Sequence, residues 1–285
     1  MNHQASFMNR KLHLNSALLL CLAASFCSTP VYAATCGSLA TLKLPDTVIT
    51  SAQTVAAGAF VPAEATAPLA VAKDLPAFCR VIAHLKPAKD SDIKVEVWLP
   101  LAGWNGKYRG QGNGGFAGEV SYSTMAVALS LGYATASTDT GHSGSPVDAA
   151  WAKGHPDKIV DFGWRAIHEM TIKAKAIIQA FYGEPARRSY FSACSNGGRQ
   201  ALMEAQRFPQ DYDGIVSVAP ANYWTKVFAT FIWDIQAMQA TPGSYIGANK
   251  IPAIGAAVAA ACDGKDGVTD GVLNDPRECR FDPKV

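Results

Sequence analysis

The stretch YFSACSNGGRQALMEAQRFP, residues 190–209, sets Ser195 between a short apolar run and a glycine pair that opens a helical pattern. A strand that runs straight into a tight turn and a helix, with serine at the apex, is the arrangement that lifts a nucleophilic hydroxyl above a sheet. The usual spacing is Gly-x-Ser-x-Gly. Here it reads Ala193-Cys194-Ser195-Asn196-Gly197, with alanine small enough to stand where the first glycine would. A blander alternative is that Ser195 only caps the helix beginning near Gly197, a position serine suits.

Outward from this stretch, strands and helices alternate. Residues 165–182 place Ile167, Met170, Ala174, Ile177, Ile178 and Phe181 at three- and four-residue steps, which predicts an amphipathic helix closed by Gly183 and Pro185. The segment RRSYFSAC before Ser195 reads as a strand, residues 197–208 as a helix stopped by Pro209, and DGIVSVAP as a further buried strand. Upstream, YATASTDTGHSG is a short strand ending in a polar turn, preceded by a helical stretch at residues 125–131. Earlier still, FCRVIAHLKP and DIKVEVWLPL alternate polar and apolar residues around the turn-rich KPAKDSD, the pattern of an antiparallel hairpin. Strands and helices at this spacing predict an α/β fold with a mostly parallel sheet covered on both faces. After Pro220 the character changes: ANYWTKVFATFIWDIQAMQ is aromatic-rich and helical, and no strand pattern follows, so residue 222 is taken as the start of an inserted second unit.

The chain has 285 residues, 49% apolar and 17% charged, enough to bury a real core. Its formal net charge of +2 has no clustered basic face behind it, so nothing argues for nucleic acid or an anionic membrane as partner. Residues 1–33 carry Arg10 and Lys11, an apolar run at residues 14–26, and Val31-Tyr32-Ala33 with small residues where cleavage needs them. That is the pattern of a secretory signal peptide, with no membrane association once it is removed and a secreted or periplasmic destination. Five cysteines remain after it, an odd number in a compartment where thiols pair.

The block SACSNGGRQALMEAQRFPQDYDGIVSVAPA, with ASTDTGH, DFGWRAIHEMTIKAKAIIQAFYG and CDGKDGVTDGVLNDPRECRFDP in the same order, resembles the tannase and feruloyl esterase family, which includes bacterial hydrolases of mono-ester terephthalates. The resemblance runs from about residue 85 onward. It implies an α/β-hydrolase core over residues 34–221, and a lid domain, with a calcium loop, beginning within residues 222–285. It makes Ser195 the nucleophile of a carboxylic ester hydrolase working through an acyl-enzyme on small-molecule esters of aromatic acids such as gallate, ferulate or terephthalate.

Such chemistry needs two donors for the oxyanion. One expected donor is the backbone N–H of Asn196, the residue after the nucleophile. The second is expected from the glycine-rich loop GQGNGGFAG, at Gly114 or Gly115, where glycine lets backbone approach substrate. That loop lacks the Lys-Ser/Thr ending of a phosphate cradle, though it also reads as a plain turn. The base is the difficulty. α/β-Hydrolases run Ser, then Asp or Glu, then His, yet His3, His13, His84, His142, His155 and His168 all precede Ser195. His142 is the one tempting substitute, and a polar turn residue is its preferred reading.

In the resembled family the cysteine before the nucleophile bonds one beside the catalytic histidine. Cys194 matches the first, and its partner is expected outside this chain. The sequence is therefore read as the front part of a longer enzyme, expected to be inactive and poorly folded alone. A Cys194 thiolate acting as nucleophile at a helix N-terminus is an alternative, as are an inert, calcium-stabilised secreted fragment and a peptidase on the same fold.

In CDGKDGVTDGVLNDPREC, Asp263, Asp266 and Asp270 are spaced three and four apart with Asp-Gly turns at two of them. Crowded hard oxygens on a tight loop suit calcium, although repeated Asp-Gly also makes plain turns. The resemblance implies ligation by those three side chains and the carbonyl oxygens of Val268 and Val272, in a structural role. Cys262 and Cys279 bracket the loop, and closing it contributes about 3 kcal/mol in the chain-entropy picture; Cys36 and Cys79 are then left for each other. Trp224, Phe228 and Phe231 share a helical face, either as a wall for an aromatic ring or as ordinary core packing.

Overall fold

The computed structural model describes residues 34–62, 72–116 and 118–284, so the signal-peptide segment lies outside the described residues. The elements are β1 (Thr47–Val55), β2 (Phe78–Leu85), β3 (Ile93–Pro100), β4 (Lys107–Gln111), α1 (Tyr122–Ser130), β5 (Ala134–Thr138) and α2 (Pro156–Val160). They continue with α3 (Ala166–Tyr182), β6 (Arg188–Cys194), α4 (Asn196–Arg207), β7 (Gly214–Val218), α5 (Trp224–Met238) and α6 (Ile251–Cys262).

Seven strands form one sheet in the order β1-β2-β3-β5-β4-β6-β7. The hairpin expected from sequence is β2–β3, in register from Phe78 opposite Pro100 to Leu85 opposite Ile93. The sheet expected to be mostly parallel is mixed. β5, β4, β6 and β7 run parallel, whereas β1, β2, β3 and β5 are joined antiparallel. The reason is that the hairpin does not stand apart but docks through β3 onto β5 and carries a further strand, β1, that the sequence reading did not see. β1 hides its pattern because it is an edge strand: of its nine residues only Ala52 is buried, so apolar alternation is weak.

Both faces of the central strands are covered. Phe78 and Trp98 point to the face of α1, where they pack with Phe60, Leu75, Met125 and Leu129. Val81, Val95, Val97 and Tyr108 belong to the larger core under α3. The six apolar residues that predicted α3 are all essentially inaccessible, and Gly183 closes the helix in the left-handed conformation (φ 76°). The expected burial of DGIVSVAP does not hold. Among the described residues β7 pairs only with β6, and Val216 and Val218 are exposed because they share the face turned away from α4, whereas Ser217 on the opposite face donates to Gly198 O. The Cys36–Cys79 disulfide fastens the N-terminal turn at Gly37–Thr41 to β2, and Cys262–Cys279 closes the aspartate loop after α6. Among the described residues no helix is long and apolar enough to cross a membrane.

Candidate active site

β6 ends at Cys194 and α4 begins at Asn196, leaving Ser195 alone to turn the chain. It does so at φ 61°, ψ −120°, a region that L residues occupy at a cost of about 1–3 kcal/mol. The backbone around it makes that conformation compulsory. The Ser195 N–H donates to Val218 O at 3.0 Å, and its carbonyl accepts from Arg199 N and Ala221 N, each at 3.0 Å. Ser195 is exposed, and its side chain makes no capping hydrogen bond to α4. The capping alternative therefore fails, and the hydroxyl is left facing outward. Gly197 explains why alanine suffices at position 193: a Cβ on Gly197 would stand 2.5 Å from the Ala193 Cβ, so the turn closes with one methyl between the two positions and has no room for a second.

The glycine-rich loop leaves β4, the strand beside β6, with Gln111 opposite Ser192. It therefore emerges next to the elbow. The two candidate glycines differ. Gly115, at φ 56°, packs against Pro146, whereas Gly114 is exposed and has open space where a Cβ would be. A set of buried amides holds the loop to α4. Asn113 Oδ1 accepts from Asn196 Nδ2 (3.2 Å) and Gln200 Nε2 (2.9 Å), while the Asn113 backbone N–H donates to Gln200 Oε1 (3.2 Å). Asn196 and Gln200 are wholly buried. Asn196 also opens α4, where the first backbone N–H groups have no acceptor within the helix.

Arg199 completes the arrangement. Its Nε donates to Asn196 Oδ1 (2.7 Å), and its two terminal nitrogens donate to the carbonyls of Gly163 (2.8 Å) and Phe162 (3.1 Å). Those carbonyls lie in a π-helical turn, Asp161–Arg165, inserted between α2 and α3. Such a turn departs from the ordinary helical ladder and recurs at functional sites. The guanidinium lies 5.1 Å from the Phe162 ring and 5.4 Å from that of Trp224, and burial pulls it down to about 10, still charged at neutral pH. Beside it opens an apolar cavity of about 340 Å³ whose walls include Phe116, Trp151, Ile159, Phe162 and Trp224.

Of the aromatic stripe, Trp224 lines this cavity, Phe228 packs on Phe116 (5.0 Å), and Phe231 is exposed. α5 has no buried residue, so core packing does not account for the stripe. The sequence reading missed Phe116, Trp151, Phe162 and Arg199. They come from four separate segments, and no spacing signal links them.

The described histidines have partners other than Ser195. His142 Nε2 meets Phe116 O at 2.7 Å, and its ring stacks on Trp151; burial lowers its pKa, favouring the neutral imidazole that donates to that carbonyl. It follows the turn at Thr140–Gly141 and is buried against aromatic walls of the cavity, Trp151 and Phe162. His84, His155 and His168 pair through Nδ1 with Asp92, Asp90 and Asp211 at 2.7–2.8 Å. Cys194 is exposed and unpaired among the described residues.

In the aspartate loop each carboxylate accepts from loop backbone: Asp263 from Gly271 N (3.0 Å), Asp266 from Val268 N (3.0 Å) and Asp270 from Val272 N (3.0 Å). Lys265, the one basic side chain between them, reaches Glu278 O at 3.3 Å. The donor set is hard oxygen throughout, which fits calcium chemistry. These three carboxylates are not gathered as closely as His168, Glu204 and Asp211, which bring donor atoms within 4.8 Å of one another.

A serine raised on a strained bend between strand and helix, beside a glycine loop on the neighbouring strand, defines the α/β-hydrolase class. Solved structures agree. Feruloyl esterase B from Aspergillus oryzae matches with a TM-score of 0.78 at 29% identity, covering 86% of this chain and 49% of that one. A second esterase from Aspergillus oryzae matches at 0.77 and 27%, covering 87% and 50%. The profile of the family described as tannase and feruloyl esterase matches residues 79–285, and the chain belongs to that family. An uncharacterized esterase of Xanthomonas campestris pv. campestris is 46% identical over 278 residues, 96% of this chain and 48% of the relative. Feruloyl esterase B of Aspergillus niger is 34% identical over 203 residues, 70% of this chain and 38% of the relative. The chain thus spans about half the length, or less, of the curated relatives it matches.

Proposed function

We propose that the chain carries the nucleophile and oxyanion donors of a secreted serine esterase that hydrolyses carboxylic esters of aromatic acids. The observation that carries this reading is the exposed Ser195 hydroxyl at φ 61°, free of any capping bond. Ser195 Oγ attacks the ester carbonyl, the backbone N–H of Asn196 and that of Gly114 receive the oxyanion, and the alcohol leaves from an acyl-enzyme that water then cleaves. Gly114 is preferred to Gly115 because it faces open space. Each donor is worth about 3 kcal/mol in the transition state. Buried amides around Asn113 hold both donors to one helix, so little rearrangement is needed when charge develops.

The proton acceptor and its carboxylate partner come, on this reading, from polypeptide outside these 285 residues, and Cys194 pairs there with a cysteine beside the base. The aromatic walls of the cavity next to Arg199 support an aromatic acyl group. Residues 222–285 begin the lid, and its aspartate loop holds a structural calcium through Asp263, Asp266, Asp270 and the carbonyls of Val268 and Val272. Two disulfides and the leader pattern of residues 1–33 support export.

The test is hydrolysis of methyl ferulate, methyl gallate and nitrophenyl acetate against a peptide panel. The chain is assayed alone and joined to the C-terminal half of the Xanthomonas relative, each with a Ser195→Ala control. Aromatic esters are expected to be cleaved by the joined protein only. Peptide cleavage, or turnover that survives Ser195→Ala, overturns the assignment.

A further inference from the structure

We propose that the apolar cavity beside Arg199 is a binding site for an aromatic carboxylate, in which the guanidinium holds the anion and the aromatic walls hold the ring. The site deepens the proposed function, and rests on that reading for one consequence only: the free acid released by ester cleavage is retained there and competes with the next ester.

The first observation is a shielded cation with no counter-ion. Arg199 donates to three neutral oxygens, those of the Asn196 amide and of the Gly163 and Phe162 carbonyls. Arg80 and Arg165, also partly buried, each grip a carboxylate, that of Glu96 and that of Asp161. No carboxylate among the described residues does this for Arg199, so burial acts on its charge unopposed. Charges withdrawn from water are ordinarily paired. Arg199 also stands in the first turn of α4, where the helix dipole favours an anion and disfavours a further cation.

The second observation is the space beside it. A volume of about 340 Å³ is that of a small-ligand pocket, and Phe116, Trp151, Phe162 and Trp224 give an aromatic ring faces and edges on which to pack. Arg199 is the only charged side chain on the described walls. A guanidinium has five N–H groups, and the three bonds above leave one on each terminal nitrogen. Two N–H groups of one arginine are a common grip on a carboxylate. A neutral ester gains the walls without those charge-assisted bonds, and an inorganic anion gains the bonds without the walls. An aromatic acid gains both.

The experiment titrates ferulate and methyl ferulate at pH 7, by isothermal calorimetry, into the whole chain carrying Ser195→Ala so that the ester is not consumed. The chain is measured alone and joined to the C-terminal half of the Xanthomonas relative. Ferulate is expected to bind about tenfold more tightly than its ester, or better. Arg199→Gln should bring the two ligands to equal affinity, with methyl ferulate bound as by the parent, which shows the cavity intact. Arg199→Lys keeps the charge without the fork and should retain a reduced preference, and Trp224→Ala should weaken both ligands alike. Where Arg199→Gln fails to fold, the parent comparison and the lysine variant decide. Equal affinity for the two ligands in the parent, a preference for the acid that survives Arg199→Gln, or no saturable ferulate binding by either protein overturns the proposal. Since no turnover is read, an inactive enzyme removes the esterase reading and leaves this site standing, whereas acid and ester bound equally by an active one remove the site alone.

Discussion

The two ends of α4 solve opposite problems. At the Ser195 end the backbone is strained, and the side chains that tie α4 to its neighbours there are answered: Asn196 by Asn113 and Arg199, Gln200 by Asn113, Arg199 by two carbonyls of the π turn. At the Glu204 end the backbone is ordinary helix, and a wholly buried carboxyl keeps its proton against the Asp211 carboxylate. The contrast shows two ways a fold carries local cost. Strain in φ and ψ persists only when surrounding hydrogen bonds leave no cheaper conformation. A buried charge persists only by changing its ionisation or by acquiring a counter-ion.

The largest test of this contrast is at the strained end. Ser195→Ala in the active enzyme should lower kcat/KM for aromatic esters by about 10⁴-fold or more with little change in melting temperature, because the residue supplies chemistry and the backbone holds its own shape. Next comes pH at the other end. Burial and the neighbouring Asp211 push Glu204 up to about 9 in the folded chain against 4.5 ordinarily, so the stability it contributes is complete below about pH 4.5 and is lost as pH rises toward 9. Glu204→Gln should therefore melt with the parent at about pH 4.5 and above it at about pH 8.5 in differential scanning calorimetry. Equal melting at both would erase the difference between the two ends.

Gly197→Ala should cost about 1–3 kcal/mol in urea unfolding, since the new Cβ meets that of Ala193 at 2.5 Å. Gln200→Leu removes the side chain that accepts from the Asn113 N–H and donates to its Oδ1, and should cost about 1–3 kcal/mol in the same measurement. It should also lower kcat more than it raises KM, because the glycine loop is released from α4. A variant with normal kcat would separate the amide network from the oxyanion site.

Legibility followed the range of the interactions involved. α3 could be read because its burial repeats every three or four residues along one segment, and the β2–β3 hairpin because its strands are adjacent in sequence. β1 was lost because an edge strand needs few apolar residues, and β7 was read as buried because Ile215, Val216 and Val218 suggest a covered strand where the fold leaves one side open. Among the site residues, Ser195 and Asn196 announced themselves through the elbow spacing. Arg199 lay in the same quoted stretch but reads as a solvated helix position until the π turn is placed against it.

By itself, the sequence determined the strand–serine–helix unit, the hairpin, the amphipathic helix and the two disulfide pairs, because each is written either in a short segment or in a small set of cysteines. Tertiary structure alone decided that Gly114 and not Gly115 faces open space, that four aromatic side chains and an arginine share one cavity, and that His168, Glu204 and Asp211 meet. Those outcomes depend on which strands become neighbours and which helices lie over them, distances between residues far apart in the chain that no local pattern encodes.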